Sequence, residues 1–262
     1  MKIILSASNA LSKWLAKSLS EPLPRMTGPD EKMVGKRPLH TNIHQVSWQC
    51  HVLANNYNNP YDGYTFIATE AFSRHTLFKH YGFAPSIDEL EQDFLALWYS
   101  ELDMHCRINN ILHDDQLKRL GVQFDEQPKI VEWYRNTDLS VQGHVSDAGL
   151  WLRAYLDENN ASQLCVKKGF ALGLYVNEKP KRIGKKHKNS EIFVPAVCFI
   201  NDGLFRFARG MNSFTPDIDD FPNPYIDKAE DGAGKPEKPK PDALKVKNNI
   251  LVMADFKAKA KH

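Results

Sequence analysis

Histidine, cysteine and the acids are the side chains whose clustering would mark a metal or a nucleophile, and this sequence spaces them loosely. His40, His44 and His51 are four and seven residues apart. On a helix an i, i+4 pair puts two ligands on one face, but the local pattern here is loop and then strand, and no Glu follows His40 as a metalloprotease helix requires. Two exposed loop histidines and one strand histidine are expected. His105, Cys106 and His113 form a second group at the end of a helical pattern. Adjacent residues point apart on a helix, so surface polar positions are expected there. Cys50, Cys106, Cys165 and Cys198 contain no C-x-x-C pair. That excludes a zinc ribbon or a thioredoxin motif and leaves reduced core cysteines in a cytoplasmic protein. Asp217, Asp219 and Asp220 lie among prolines and read as a solvated run. There is neither a G-x-S-x-G elbow nor a P-loop. No metal site, no cofactor and no activated nucleophile is expected.

Two segments carry denser chemistry. Arg135, Asn136, Thr137, Asp138, Ser140, His144 and Asp147 crowd a strand-to-helix connection. Sites favour loops held on a rigid scaffold, and a helix start offers free N–H groups to an anion. With the strand residue His51 this gives a candidate loop site of His51, Arg135, Ser140 and Asp147. The competing reading makes Ser146 or Asp147 a helix cap, Gly143 a turn, and Arg135 a partner of Glu132 or Asp138. The second segment is a basic loop over 179–190, with Lys179, Lys181, Arg182, Lys185, Lys186 and Lys188. Residues 1–161 hold 15 Lys/Arg against 20 Asp/Glu, and residues 162–262 hold 19 against 12. The positive excess is therefore C-terminal, and six cations in one loop suit the phosphates of a nucleic acid or an acidic protein surface. Tyr175, Phe193, Phe199, Phe205 and Phe207 lie near it in sequence and are expected in the core.

The elements that must position these residues follow from periodicity. Leu11, Trp14, Leu15 and Leu19 predict a helix over 7–19, and the Pro/Gly-rich stretch 20–42 predicts a loop. Alternation of Val46, Trp48, Cys50 and Val52 with polar residues predicts a strand over 43–54. Strands over 64–69 and 75–81 complete an antiparallel meander. Ser86 and Glu89 form a capping box for a helix reaching residue 108. A helix over 114–120 stopped by Gly121, a strand over 129–134, a helix over 145–158 and a strand over 170–177 follow. Residues 191–200 and 204–208 suggest a hairpin across Asn201-Asp202-Gly203. Six prolines between 212 and 243 predict irregular chain, and residues 250–253 a terminal edge strand. No apolar run approaches the ~20 residues of a membrane span, and the N-terminus does not read as a signal peptide.

Three features taken together resemble an uncharacterised bacterial and phage family, known only as a domain of unknown function. The first is the short N-terminal strand and helix. The second is a Trp-x-x-His-x-Leu strand (Trp48, His51, Leu53) followed by a hairpin and Thr76-Leu77-Phe78. The third is Ser-Val-x-Gly-x-x-x-Asp (Ser140, Val141, Gly143, Asp147) before a helix. Leu174, Asn177 and Pro180 fit the same order. The resemblance spans about residues 1–183. The family usually carries Asn at the position of Ser146 and a basic turn at 55–63. The resemblance implies an order of elements and a phage or mobile-element setting, and no established activity.

Runs of strands broken by one or two helices indicate an α+β fold, a mixed or antiparallel sheet flanked by helices. The division expected is a body over 1–183 and a basic C-terminal extension over 184–262. The function expected is a non-catalytic binding or accessory protein contacting nucleic acid or a protein partner. The rival is a nuclease-like hydrolase using His51 with the Arg135–Asp147 loop. The composition of 222–240 cannot form a core, so limited proteolysis is predicted to cut there first. Resistance across that stretch would mean that the body or a partner chain holds it.

Overall fold

A computed structural model describes residues 1–16, 19, 21–27, 35–56, 59–183 and 191–208, and the statements below concern these. Strands β1 (Lys2–Ala7), β2 (Gln45–Ala54), β3 (Tyr64–Glu70), β4 (Thr76–Tyr81) and β5 (Ile130–Arg135) form one mixed sheet in the order β4-β3-β2-β1-β5. β2, β3 and β4 are the antiparallel meander that the alternation predicts. β1 runs parallel to both of its neighbours, with Ala7 opposite Cys50 on one side and Arg135 on the other. The fold is thus α+β with a mixed sheet.

The two faces of the sheet differ in chemistry because side chains alternate along each strand. One face presents Ile3, Leu5, Ala7, Val46, Trp48, Cys50, Phe66 and Ala68 to the main apolar core. That core is closed by α1 (Asn9–Leu15), α2 (Ile87–Ile108), α3 (Asp114–Glu126) and α6 (Pro195–Phe207). The other face mixes Ile4, Ile67 and Phe78 with buried Ser6, Ser47, Gln49 and Thr69. It lies under α4 (Leu139–Glu158), which covers β2 and β3, and α5 (Val166–Asn177), which covers β4.

Buried polar groups need partners, and here they form a chain that fixes α4. Gln49 Nε2 donates to the Ser6 carbonyl at 2.8 Å, and Gln49 Oε1 accepts from the Asp138 N–H at 2.8 Å. Asp138 then accepts from Leu39 N–H and, as N-cap, from Ser140 N–H, at 2.7 and 2.8 Å. Asn136 accepts from Arg37 N–H at 2.7 Å. The cap of α4 is therefore Asp138 rather than Ser146 or Asp147, and the helix begins at Leu139, six residues earlier than the predicted 145.

Several predicted elements are corrected. Residues 170–177 belong to helix α5, not a strand. Leu172 and Val176 repeat at i, i+4, and their alternation with neighbours is incidental. Gly169 and Gly173 let this helix approach the Phe78 carbonyl and the Glu101 carboxyl, where an added Cβ would lie 3.3 and 3.1 Å away. The predicted hairpin over 191–208 is also replaced. A short β7 (Glu191–Phe193) pairs with β6 (Lys181–Ile183), and α6 runs through Asn201-Asp202-Gly203. Pro195 sits at the first turn of α6, where its missing N–H costs nothing, and Asp202 pairs with Arg206 one turn on at 2.8 Å. Phe199, Leu204 and Phe207 join the main core, so that core extends past the boundary expected at 183. Gly121 does not end α3, which continues to Glu126 and uses the glycine to pass Tyr99 Oη. Helix α1 is shorter than 7–19, starting after the Ser8 cap. Cys50 and Cys106 are buried as expected, whereas Cys165 is exposed; all four cysteines are free. The predicted irregular segment over 212–243 and the edge strand over 250–253 lie outside the described residues.

Trp48 is fully buried and meets Phe94 and Trp98 edge-on at 5.2 and 5.6 Å. Trp48→Ala should cost about 3–5 kcal/mol. A chemical-denaturation midpoint equal to wild type would contradict this core assignment.

Candidate functional site

The β3–β4 turn, Ala71–His75, is held by one buried carboxylate. Glu70 accepts from the Phe72 and Ser73 N–H groups and from Thr41 Oγ1, and its own backbone closes on Arg74 and His75. Burial and the nearby Asp202 push the Glu70 carboxyl up from its ordinary range, and the three hydrogen bonds oppose that shift. Within this turn Arg74 takes a left-handed backbone, φ 57°. A non-glycine residue held there implies that the surroundings over-determine the turn.

Arg74 is 4% exposed, and its side chain runs beneath the start of α4. One guanidinium nitrogen donates to the Ala71 carbonyl, another reaches Ser140 Oγ at 3.4 Å, and Nε is buried without a partner. Lys181, at the start of β6, donates to the Arg74 carbonyl at 3.2 Å. Burial lowers the Lys181 ammonium to about 8; Asp147 opposes the shift and Arg74 adds to it. His144 is driven to about 4, first by burial and then by Lys181 and Arg74, so it is neutral at pH 7. Among the described residues neither Arg74 nor Lys181 is in a salt bridge. Asp147, exposed on α4, is the acid that acts on Lys181. Two cations set this close and partly dehydrated repel one another, and an anion relieves that repulsion.

Ser140, His144, Asp147 and Trp151 recur at spacings of four, three and four, which places them along one face of α4. Gly143 on this surface has open space where a Cβ would stand. Trp151 and Tyr175 are 38% and 48% exposed, with ring centroids 5.2 Å apart. Lys179 Nζ lies 5.0 Å from the first ring and 4.0 Å from the second. The helix face that meets the two cations through Ser140 and Asp147 thus also carries Trp151 of an exposed aromatic pair capped by a third cation.

The sequence-predicted residues divide between two places. His51 Nδ1 lies 2.7 Å from Ser8 Oγ, and Arg135 Nε donates to Asn9 Oδ1 at 3.0 Å, both at the β1–α1 junction. Arg135 therefore pairs with neither Glu132 nor Asp138. Burial, then Arg153, lowers the His51 imidazole below its ordinary value. Ser140 and Asp147 turn instead to Arg74 and Lys181, which joins half of the candidate loop site to the start of the basic segment. Lys181 and Arg182 lie on β6 rather than in a loop; Lys185, Lys186 and Lys188 lie outside the described residues. Phe199, Phe205 and Phe207 are core, as expected, and Tyr175 is not. Sequence reasoning missed Arg74, hidden in a turn, and Trp151. The i+4 step from Asp147 to Trp151 lies within the predicted helix over 145–158 and is the signal that could have shown the latter.

The remaining histidine expectations split as well. His40 and His44 are exposed and His51 sits on a strand, as expected. His105 is no surface residue: it is 2% exposed and shares a buried cluster with His75 and Glu101, on the other side of the sheet from the Arg74 guanidinium. That trio is the group of His, Cys, Asp or Glu among the described residues with spacing for a metal ion. Comparison of the chain with family models, curated proteins and solved structures gives no match.

The electrostatics give a pH dependence. A phosphodiester does not titrate near pH 8, so the affinity of an oligo(dA) probe, if this cation pair holds it, would depend there on Lys181 being charged. Affinity should be full below about 8 and fall as pH rises through it. Lys181→Arg, with a guanidinium that stays charged, should flatten the profile. Equal pH profiles for the two proteins would contradict the role given to Lys181.

Proposed function

We propose that this protein is a non-catalytic binding protein for single-stranded nucleic acid. In this reading Arg74 and Lys181 take a backbone phosphate, with Ser140 and neutral His144 as hydrogen-bonding neighbours. Trp151 and Tyr175 offer the faces on which an adjacent base stacks. The observation that carries the reading is Lys179 lying over two exposed aromatic rings, one of them on the face of α4 whose Ser140 and Asp147 meet two partly dehydrated cations, Arg74 and Lys181. Strand binders without sequence preference combine these two features, a cationic track and stacking platforms. A cytoplasmic location is the corollary of the free cysteines, and a phage or mobile-element setting rests on the sequence resemblance alone. Among the described residues no helix is long and apolar enough to cross a membrane.

One observation favours the rival hydrolase, the 2.7 Å approach of Ser8 Oγ to His51 Nδ1. Against it, Ser8 is 5% exposed and its Oγ already caps α1 by accepting from Leu11 N–H. The pair reads more simply as a satisfied helix cap.

Fluorescence anisotropy with a mixed-sequence single-stranded oligonucleotide at two salt concentrations tests the proposal. Each phosphate-contacting cation should add about 0.7 to the salt slope, so Lys181→Ala should lower it by about that amount. Trp151→Ala should weaken binding by about 1–3 kcal/mol without changing the slope. No binding at low salt, or binding that both variants leave intact, would contradict it.

A further inference from the structure

On the core side of the sheet lies a second cluster of polar side chains, independent of the nucleic-acid reading. His75 directly follows Arg74 at the end of the β3–β4 turn, and its imidazole enters the space between α2, α5 and α6. Glu101 and His105 come from α2, one turn apart, so both face the same way. Their relative exposures are 0%, 1% and 2%. Glu101 Oε2 lies 3.7 Å from Nε2 of each histidine, and one potential ligand atom from each residue falls within 4.8 Å of the others.

We propose that His75, Glu101 and His105 bind one divalent first-row transition ion of the zinc type.

The case rests on satisfaction of buried groups. Distances of 3.7 Å are too long for hydrogen bonds, and Glu101 Oε2, His105 Nε2 and His75 Nδ1 are all buried without partners. Two of these orphans, Glu101 Oε2 and His105 Nε2, face one another in one dry spot, which is costly in a native core. A cation between Oε2 and the imidazole nitrogens satisfies the carboxylate and His105 together. For metal–ligand bonds of about 2.0–2.1 Å in tetrahedral geometry, ligand atoms lie roughly 3.3 Å apart. Each Glu101–histidine pair needs to contract by only a few tenths of an ångström, and the two imidazole nitrogens, within 4.8 Å of one another, close the rest by side-chain rotation. Two imidazoles and one carboxylate suit zinc, cobalt or ferrous iron better than magnesium or calcium, which prefer all-oxygen sets. Three protein ligands leave one position for a small ligand such as water.

The surroundings shape the trio rather than compete for it. Phe199 of α6 stacks on the His75 ring at 3.8 Å and 9°, which holds its plane. Gly173 of α5 lies against Glu101, where an added Cβ would stand 3.1 Å from Oε1. Asn177 approaches His75 Nε2 at 3.3 Å, yet its amide has good bonds elsewhere, accepting from Thr76 N–H and donating to Thr76 O, each at 2.8 Å. An ion here ties the β3–β4 turn to α2.

The test uses the untagged full-length chain. Elemental analysis of protein purified without chelator should find about one equivalent of a transition metal. Protein stripped by chelator under mild denaturation and refolded should gain thermal midpoint on adding ZnCl2, and should give visible absorption bands of tetrahedral or five-coordinate cobalt on adding CoCl2. Glu101→Gln keeps the shape of a neutral carboxyl and removes the anionic ligand. Loss of a second-shell partner already costs about 10–100-fold in metal affinity, so this variant should lose at least about 100-fold and show no ZnCl2 shift. If Glu101→Gln fails to fold, the stripped and reloaded wild type still decides. Wild type that carries no metal and responds to neither salt would overturn the proposal, as would Glu101→Gln that holds zinc as wild type does.

Discussion

The arrangement depends on one buried carboxylate and the turn that it clamps. Glu70 ends β3 opposite Trp48, 2% exposed, and its oxygens take the N–H groups of Phe72 and Ser73 and the hydroxyl of Thr41. A carboxylate in that position has lost its water, and the peptide N–H groups replace it. The tight turn that results sends consecutive residues to opposite sides of the sheet. Arg74 goes under α4 toward Ser140, and His75 goes under α2 and α6 toward Glu101 and Phe199. Both polar centres of this protein are therefore set by the same few hydrogen bonds.

The second constraint is the polar layer on the α4 face of the sheet. Ser6, Gln49, Asn136 and Asp138 satisfy one another across β1, β2 and the end of β5, and they also hold the segment around Arg37 and Leu39. An apolar layer would pack as well but would leave the rotation of α4 to side-chain shape alone. Here Asp138 fixes the first turn through the Ser140 N–H. The residues one, two and three turns on, His144, Asp147 and Trp151, then face the Lys181 side.

Much of this order was legible in the sequence where the pattern had one cause. β2 alternates because one face is core, and α2 shows its capping box and its Leu90, Phe94, Trp98, Leu102 stripe. Where two causes overlap, the pattern misled. In 170–177 the spacing of alternate apolar residues mimics a strand, while glycines at 169 and 173 mark a helix packed close to its neighbours. Asn-Asp-Gly at 201–203 looks like a hairpin turn, yet Asp202 serves Arg206 and Gly203 clears Leu102 inside α6. Of the proposed binding surface, Ser140, Asp147 and Lys181 are singled out by residue type and local charge. Arg74 and His75 are not, because a buried arginine and a buried histidine are made by the tertiary turn around them and leave no periodic trace.

Of the five tryptophans, Trp14, Trp48, Trp98 and Trp133 are buried and Trp151 alone is substantially exposed, so its indole reports directly on the proposed stacking surface. A proton–nitrogen correlation spectrum of the full-length protein, titrated with a short oligo(dA) strand, separates the five indole N–H signals. The account predicts that the Trp151 signal shifts progressively to saturation while those of Trp48 and Trp98 stay in place. A Trp151 signal that does not move, with the oligonucleotide either bound or unbound, would contradict it.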